Sequence, residues 1–72
     1  MERLVGRRFN TLYEIKEEIE KITHKKVGTI FESESERPEE CDFMIDYEFD
    51  PFDIHTLFYL RDNAGHYYIT EV

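Results

Sequence analysis

The chain has 72 residues, a formal net charge of −8 and a single cysteine, Cys41. That length holds at most one domain, with a thin stability margin, and one cysteine excludes an internal disulfide and a C-x-x-C metal or redox site. The excess of Asp and Glu (17) over Lys and Arg (9) disfavours direct binding to nucleic acid and favours basic partner surfaces.

The charge is not evenly spread. Residues 1–8 carry +2, residues 9–31 carry 0, residues 32–50 carry −8 and residues 51–72 carry −2. In residues 32–50 nine carboxylates face one cation, Arg37. An unpaired thiol with no disulfide framework fits a reducing compartment. The N-terminus lacks the apolar stretch of a signal peptide, and no apolar run reaches the roughly 18–20 residues that span a bilayer. The expectation is a soluble cytoplasmic protein. Eleven Phe and Tyr residues in periodic positions supply enough apolar area to offset chain entropy, so the chain is expected to fold.

In chain order, Leu4 and Val5 suggest a short edge strand or an anchoring arm. Residues 11–24 predict a helix. Thr11-Leu12-Tyr13-Glu14 is a capping box, in which the Thr11 hydroxyl accepts from the third helical N–H and Glu14 reaches back. Leu12, Ile15, Ile19 and Ile22 form one narrow apolar stripe, enough to cover one sheet face. His24, Lys25 and Lys26 put cations at the C-terminal end.

Residues 27–32 predict a strand with Val27, Thr29 and Phe31 on one face. Residues 33–40 have no apolar side chain and predict a mobile acidic loop. Residues 41–50 show the clearest strand pattern: Cys41, Phe43, Ile45, Tyr47 and Phe49 point one way, and Asp42, Met44, Asp46, Glu48 and Asp50 the other. Pro51-Phe52-Asp53 ends it. Residues 54–61 and 66–72 predict a hairpin about Asp62–Gly65, with Phe58 near Thr70, Tyr59 near Ile69 and Leu60 near Tyr68.

The expected fold is a single α+β domain over residues 1–72: a two-layer sandwich of one N-terminal helix on a mostly antiparallel four-stranded sheet, in the order α-β-β-β-β. Both faces of the final hairpin are apolar. Ile54, Phe58, Leu60, Tyr68 and Val72 lie on one; Leu57, Tyr59, Tyr67 and Ile69 lie on the other. One narrow helix cannot cover both, so either the sheet curls on itself or an aromatic surface stays free for a partner.

Motifs for chemistry are sparse. Asp46-x-Glu48-x-Asp50 runs into Pro51 without the Gly of a calcium loop, and extended carboxylates sit too far apart to share a small ion. His24, His55 and His66 lack metal-ligand spacing. Cys41 stands beside Glu39, Glu40 and Asp42, which oppose a reactive thiolate. There is no Gly-rich phosphate loop, Ser-His-Asp pattern or cofactor signature. The residues therefore predict no enzyme, no metal and no cofactor.

What remains is an interaction protein, a regulator or inhibitor that meets a basic partner surface. The predicted acidic contacts are Asp42, Asp46, Glu48 and Asp50 on the strand, with Glu34 and Glu36 on a flexible arm; Tyr59 and Tyr67 are the predicted aromatic contacts. Two alternatives stand beside this reading. One is a DNA mimic that inhibits a nucleic-acid-binding protein, since row neighbours about 6.6 Å apart fall near twice the phosphate step of about 3.4 Å along a DNA strand. The other is a homo-oligomer paired through an edge strand, 27–32 or 66–72. The predicted state is a monomer or homodimer, with no membrane contact.

Overall fold

The computed structural model describes residues 1–34 and 43–72. It is an α+β fold. A helix, α1 (Leu12–Thr23), lies against an antiparallel sheet of five strands: β1 (Arg8–Phe9), β2 (Thr29–Glu34), β3 (Phe43–Glu48), β4 (Ile54–Arg61) and β5 (Tyr67–Glu71), in the spatial order β1-β5-β4-β3-β2.

The helix starts where its cap dictates. Glu14 N–H donates to Thr11 Oγ1 at 3.2 Å, and the Glu14 carboxylate accepts the Asn10 N–H at 2.7 Å, so two otherwise unpaired donors are satisfied. It ends at His24, whose N–H makes the last helical bond to the Glu20 carbonyl and whose left-handed backbone (φ 59°) turns the chain out of the helix. Ile15 and Ile19 are fully buried, with Leu12 and Ile22 packed at the margins, as the apolar stripe requires. The Glu20 carboxylate also accepts the Val27 N–H at 2.8 Å, which ties the chain leaving the helix back onto it.

Three sequence expectations need correction. The sheet has five strands, not four, because residues 8–9 pair with β5 (Arg8 opposite Tyr68, Phe9 opposite Tyr67). Leu4 and Val5 form no strand. Leu4 instead sits in a single 3₁₀ turn, Glu2–Leu4, and is completely buried. The chain then runs beside β5 through Gly6 N–H to the Ile69 carbonyl (2.8 Å) and Ile69 N–H to the Arg7 carbonyl (3.0 Å).

Second, β2 is displaced by two residues from its predicted span. Val27 precedes it and is buried in the core, while Thr29 and Phe31 are exposed. The register puts Ile30 opposite Tyr47 and Glu32 opposite Ile45, so Ile30 and Glu32 share the helix side and Thr29 and Phe31 the other. Ser33 and Glu34 belong to β2 rather than to the loop; the remainder of that loop, with Cys41 and Asp42, lies outside the described residues.

Third, the hairpin register holds for Tyr59 opposite Ile69 and Leu60 opposite Tyr68, but Phe58 faces Glu71 rather than Thr70. A bulge between Phe58 and Tyr59 shifts the pairing, and one extra residue on β5 is its ordinary cause.

The core lies between α1 and one sheet face. It contains Leu4, Phe9, Ile15, Ile19, Val27, Ile45, Tyr47, Leu57, Tyr59, Tyr67 and Ile69. This decides which face of the final hairpin the helix covers: the one with Leu57, Tyr59, Tyr67 and Ile69.

Candidate functional site

The opposite sheet face carries no layer among the described residues. Opposed residues of an antiparallel pair share a face, so the register builds this surface as rows across the strands. Thr29, Glu48 and Ile54 make the first row; Phe31, Asp46 and Thr56 the second; Ser33, Met44, Phe58 and Glu71 the third; Leu60, Tyr68 and Arg8 the last. Rows are about 6.8 Å apart, two residues of strand rise, and strands about 4.8 Å apart.

The surface is divided. At one end Met44, Phe58, Leu60 and Tyr68 adjoin, with Glu71 and Arg8 at the margin of the same rows and Phe31 diagonal to Met44. Phe31 is 48% exposed and Tyr68 36%, and Ile54 at the far margin reaches 61%. Leu60 and Tyr68, with Arg8, Arg61 and Asp62, line a shallow hollow of about 320 Å³. At the other end stand two carboxylates, Asp46 and Glu48, on the same side of β3. Asp46 accepts the Thr56 hydroxyl at 2.6 Å, which holds its carboxylate in place on the strand.

The predicted acidic row is thus shorter on the strand than its alternation implied. Asp46 and Glu48 occupy it. Asp50 does not: it opens the turn after β3, where its carboxylate accepts the Phe52 N–H (2.9 Å) and its carbonyl accepts the Asp53 N–H (3.1 Å). Asp42 and Glu36 lie outside the described residues. The Glu34 backbone pairs with Phe43 at the end of β2.

Tyr59 and Tyr67 are not a free aromatic surface. They are 2% and 7% exposed and belong to the core on the helix side. Tyr59 stacks on Phe43, packs against Tyr67 at 4.9 Å between ring centroids and donates its hydroxyl to Glu32 at 3.1 Å. Burial raises the Tyr59 hydroxyl pKa well above its ordinary value, and the Glu32 carboxylate raises it further; Tyr67 is shifted the same way by the same causes. On this face the exposed aromatics that sequence reasoning missed as contacts are Phe31 and Tyr68. The signal for Tyr68 was present, since its alternation set it with Phe58 and Leu60; Phe31 was hidden by the misplaced span of β2.

The histidines have structural partners. His24 caps the helix. His55 meets Asp53 at 2.7 Å and stacks on Tyr47. His66 Nδ1 lies 3.0 Å from Asp62, whose carboxylate also accepts the His66 and Ala64 N–H groups. These bonds, the backbone one from His66 first, hold the Asp62 pKa below the usual range. Among the described residues no group of three His, Cys, Asp or Glu side chains is placed to hold a metal ion. None of their helices is long and apolar enough to cross a membrane.

No known protein family, curated protein or solved structure matches this chain. Among the described residues one sheet face carries no layer; it is mainly apolar toward Leu60 and Tyr68 and carries Asp46 and Glu48 toward the other end.

Proposed function

We propose that this protein is a small acidic interaction module, a non-enzymatic regulator or inhibitor that engages a basic partner surface in a reducing compartment. The observation that supports it most is the pairing of Asp46 and Glu48, on a strand inside the sheet, with the exposed apolar side chains beside them. Charge of one sign draws in and selects a basic partner; apolar and aromatic anchors supply affinity once water is expelled. The net charge of −8 adds long-range attraction for such a partner and repulsion for nucleic acid.

The reading is tested by affinity capture with the wild type, with the pair Asp46→Asn and Glu48→Gln, and with the pair Phe31→Ser and Tyr68→Ser, each checked for folding by circular dichroism. A partner of basic isoelectric point that is held by the wild type, released by moderate salt, and lost from both variants is the expected result. A partner retained equally by all three proteins would place the working surface elsewhere.

A further inference from the structure

Resting on that reading, we infer that the occupant of the sheet face left open by the described residues is an amphipathic helix of a partner chain, apolar along one stripe and bearing Lys or Arg toward one end.

Three observations select it. First, the surface is a sheet face and not a sheet edge. A segment lying across a face finds side chains, not free backbone groups, so an extended segment would bury its own N–H and C=O groups unpaired. A helix satisfies them internally. The chain already uses this solution on the other side, where the 12-residue α1 covers the same sheet.

Second, the dimensions fit one helix. From the Asp46 row to the Leu60–Tyr68 row is about 14 Å, and from the Glu48 row about 20 Å. A helix rising about 1.5 Å per residue spans this in roughly 9–13 residues. Its apolar side chains then meet Phe31, Met44, Phe58 and Tyr68, with one anchor over the hollow beside Leu60, while its cations stand over Asp46 and Glu48.

Third, charge argues against a second copy. Two chains docked through this face would each bring a net charge of −8, so the copies repel one another, and the Asp46 and Glu48 carboxylates add to that repulsion. A partner with Lys or Arg at that end neutralises them.

The test is an NMR titration of the full chain with short peptides of defined composition. One contains Leu and Lys at helical spacing; a second has the same composition in strict alternation, which favours an extended form; a third replaces Lys with Glu at helical spacing; a fourth is Lys alone. The expected result is saturable binding of the first, with shifts centred on Met44, Asp46, Glu48, Phe58, Leu60 and Tyr68. Binding should weaken about tenfold, a 1.4 kcal/mol loss, in the folded variant Phe31→Ser with Tyr68→Ser. Should that variant not fold, Glu48→Gln with Asp46→Asn serves, and the same weakening is expected. Equal binding of helical and alternating peptides, or shifts confined to α1 or to the β2 edge, overturns the helix while leaving a basic partner in place. Binding by none of the Lys peptides overturns both readings. Sedimentation showing a dimer that the Phe31→Ser, Tyr68→Ser variant abolishes would assign the face to a second copy instead.

Discussion

Thr11 shows how much of the local structure a single hydroxyl controls. It satisfies the Glu14 N–H at the start of α1, and among the described residues this helix is the layer that covers the core. Thr11→Ala is expected to lower stability by about 1 kcal/mol, read as a lower urea midpoint with unchanged slope. The buried tyrosines make a second prediction at this scale. Tyr47, Tyr59 and Tyr67 all have hydroxyls raised above their ordinary value by burial. Above about pH 10 the unfolded chain releases these protons while the folded chain retains them, so the unfolded state binds fewer protons and stability falls as pH rises. The stabilising contribution is complete below about pH 10 and is lost through the alkaline range. In an alkaline titration the tyrosinate absorbance of these three should therefore appear together with loss of circular dichroism. Ionisation of all five tyrosines before any unfolding would contradict this.

At the scale of elements, the N-terminal segment matters more than its sequence suggests. Leu4 is fully buried, and residues 6–9 bond along β5. Leu4→Ala is expected to cost roughly 2–5 kcal/mol, a large share of the stability of so small a domain, seen as a steep drop in thermal midpoint. A change of the same type at exposed Val5 should be nearly neutral. The turn joining β4 and β5 behaves differently. Gly65 has φ +83° with no atom within 4 Å of an added Cβ, so Gly65→Ala meets backbone strain alone, about 1–2 kcal/mol, without loss of core packing. Denaturant unfolding of the two variants separates these effects.

For the whole molecule, net charge sets the response to salt. With −8 on 72 residues, folding brings like charges together, and added salt should stabilise the domain by screening them. The thermal midpoint is expected to rise between low salt and about 0.3 M, where screening reaches within a few ångströms. A falling midpoint would mean that pairs such as Arg7–Glu18 at 2.8 Å outweigh the net repulsion. Glu48→Gln removes one charge from the crowded segment and is expected to leave stability within about 0.5 kcal/mol while reducing affinity for basic peptides.

Some of this structure follows from local periodicity. The α1 stripe, its Thr11 cap, the alternation of β3 and the Asp62–Gly65 turn are short-range patterns, because helix and strand periods are set by neighbouring backbone geometry. They also determine that the final hairpin has two apolar faces. Tertiary structure alone decided the rest. A two-residue strand such as β1 has no periodicity to read; it exists because Leu4 finds the core and draws residues 6–9 onto β5. The bulge at Phe58 depends on a partner strand. Which apolar face the helix covers is likewise a contest between two similar surfaces, settled by packing of Leu57, Tyr59, Tyr67 and Ile69 with Ile15 and Ile19. That choice buried the two tyrosines expected at the surface and left Phe31 opposite Asp46 and Tyr68 at the far end of the open face, because one narrow helix can remove only one face of a sheet from water.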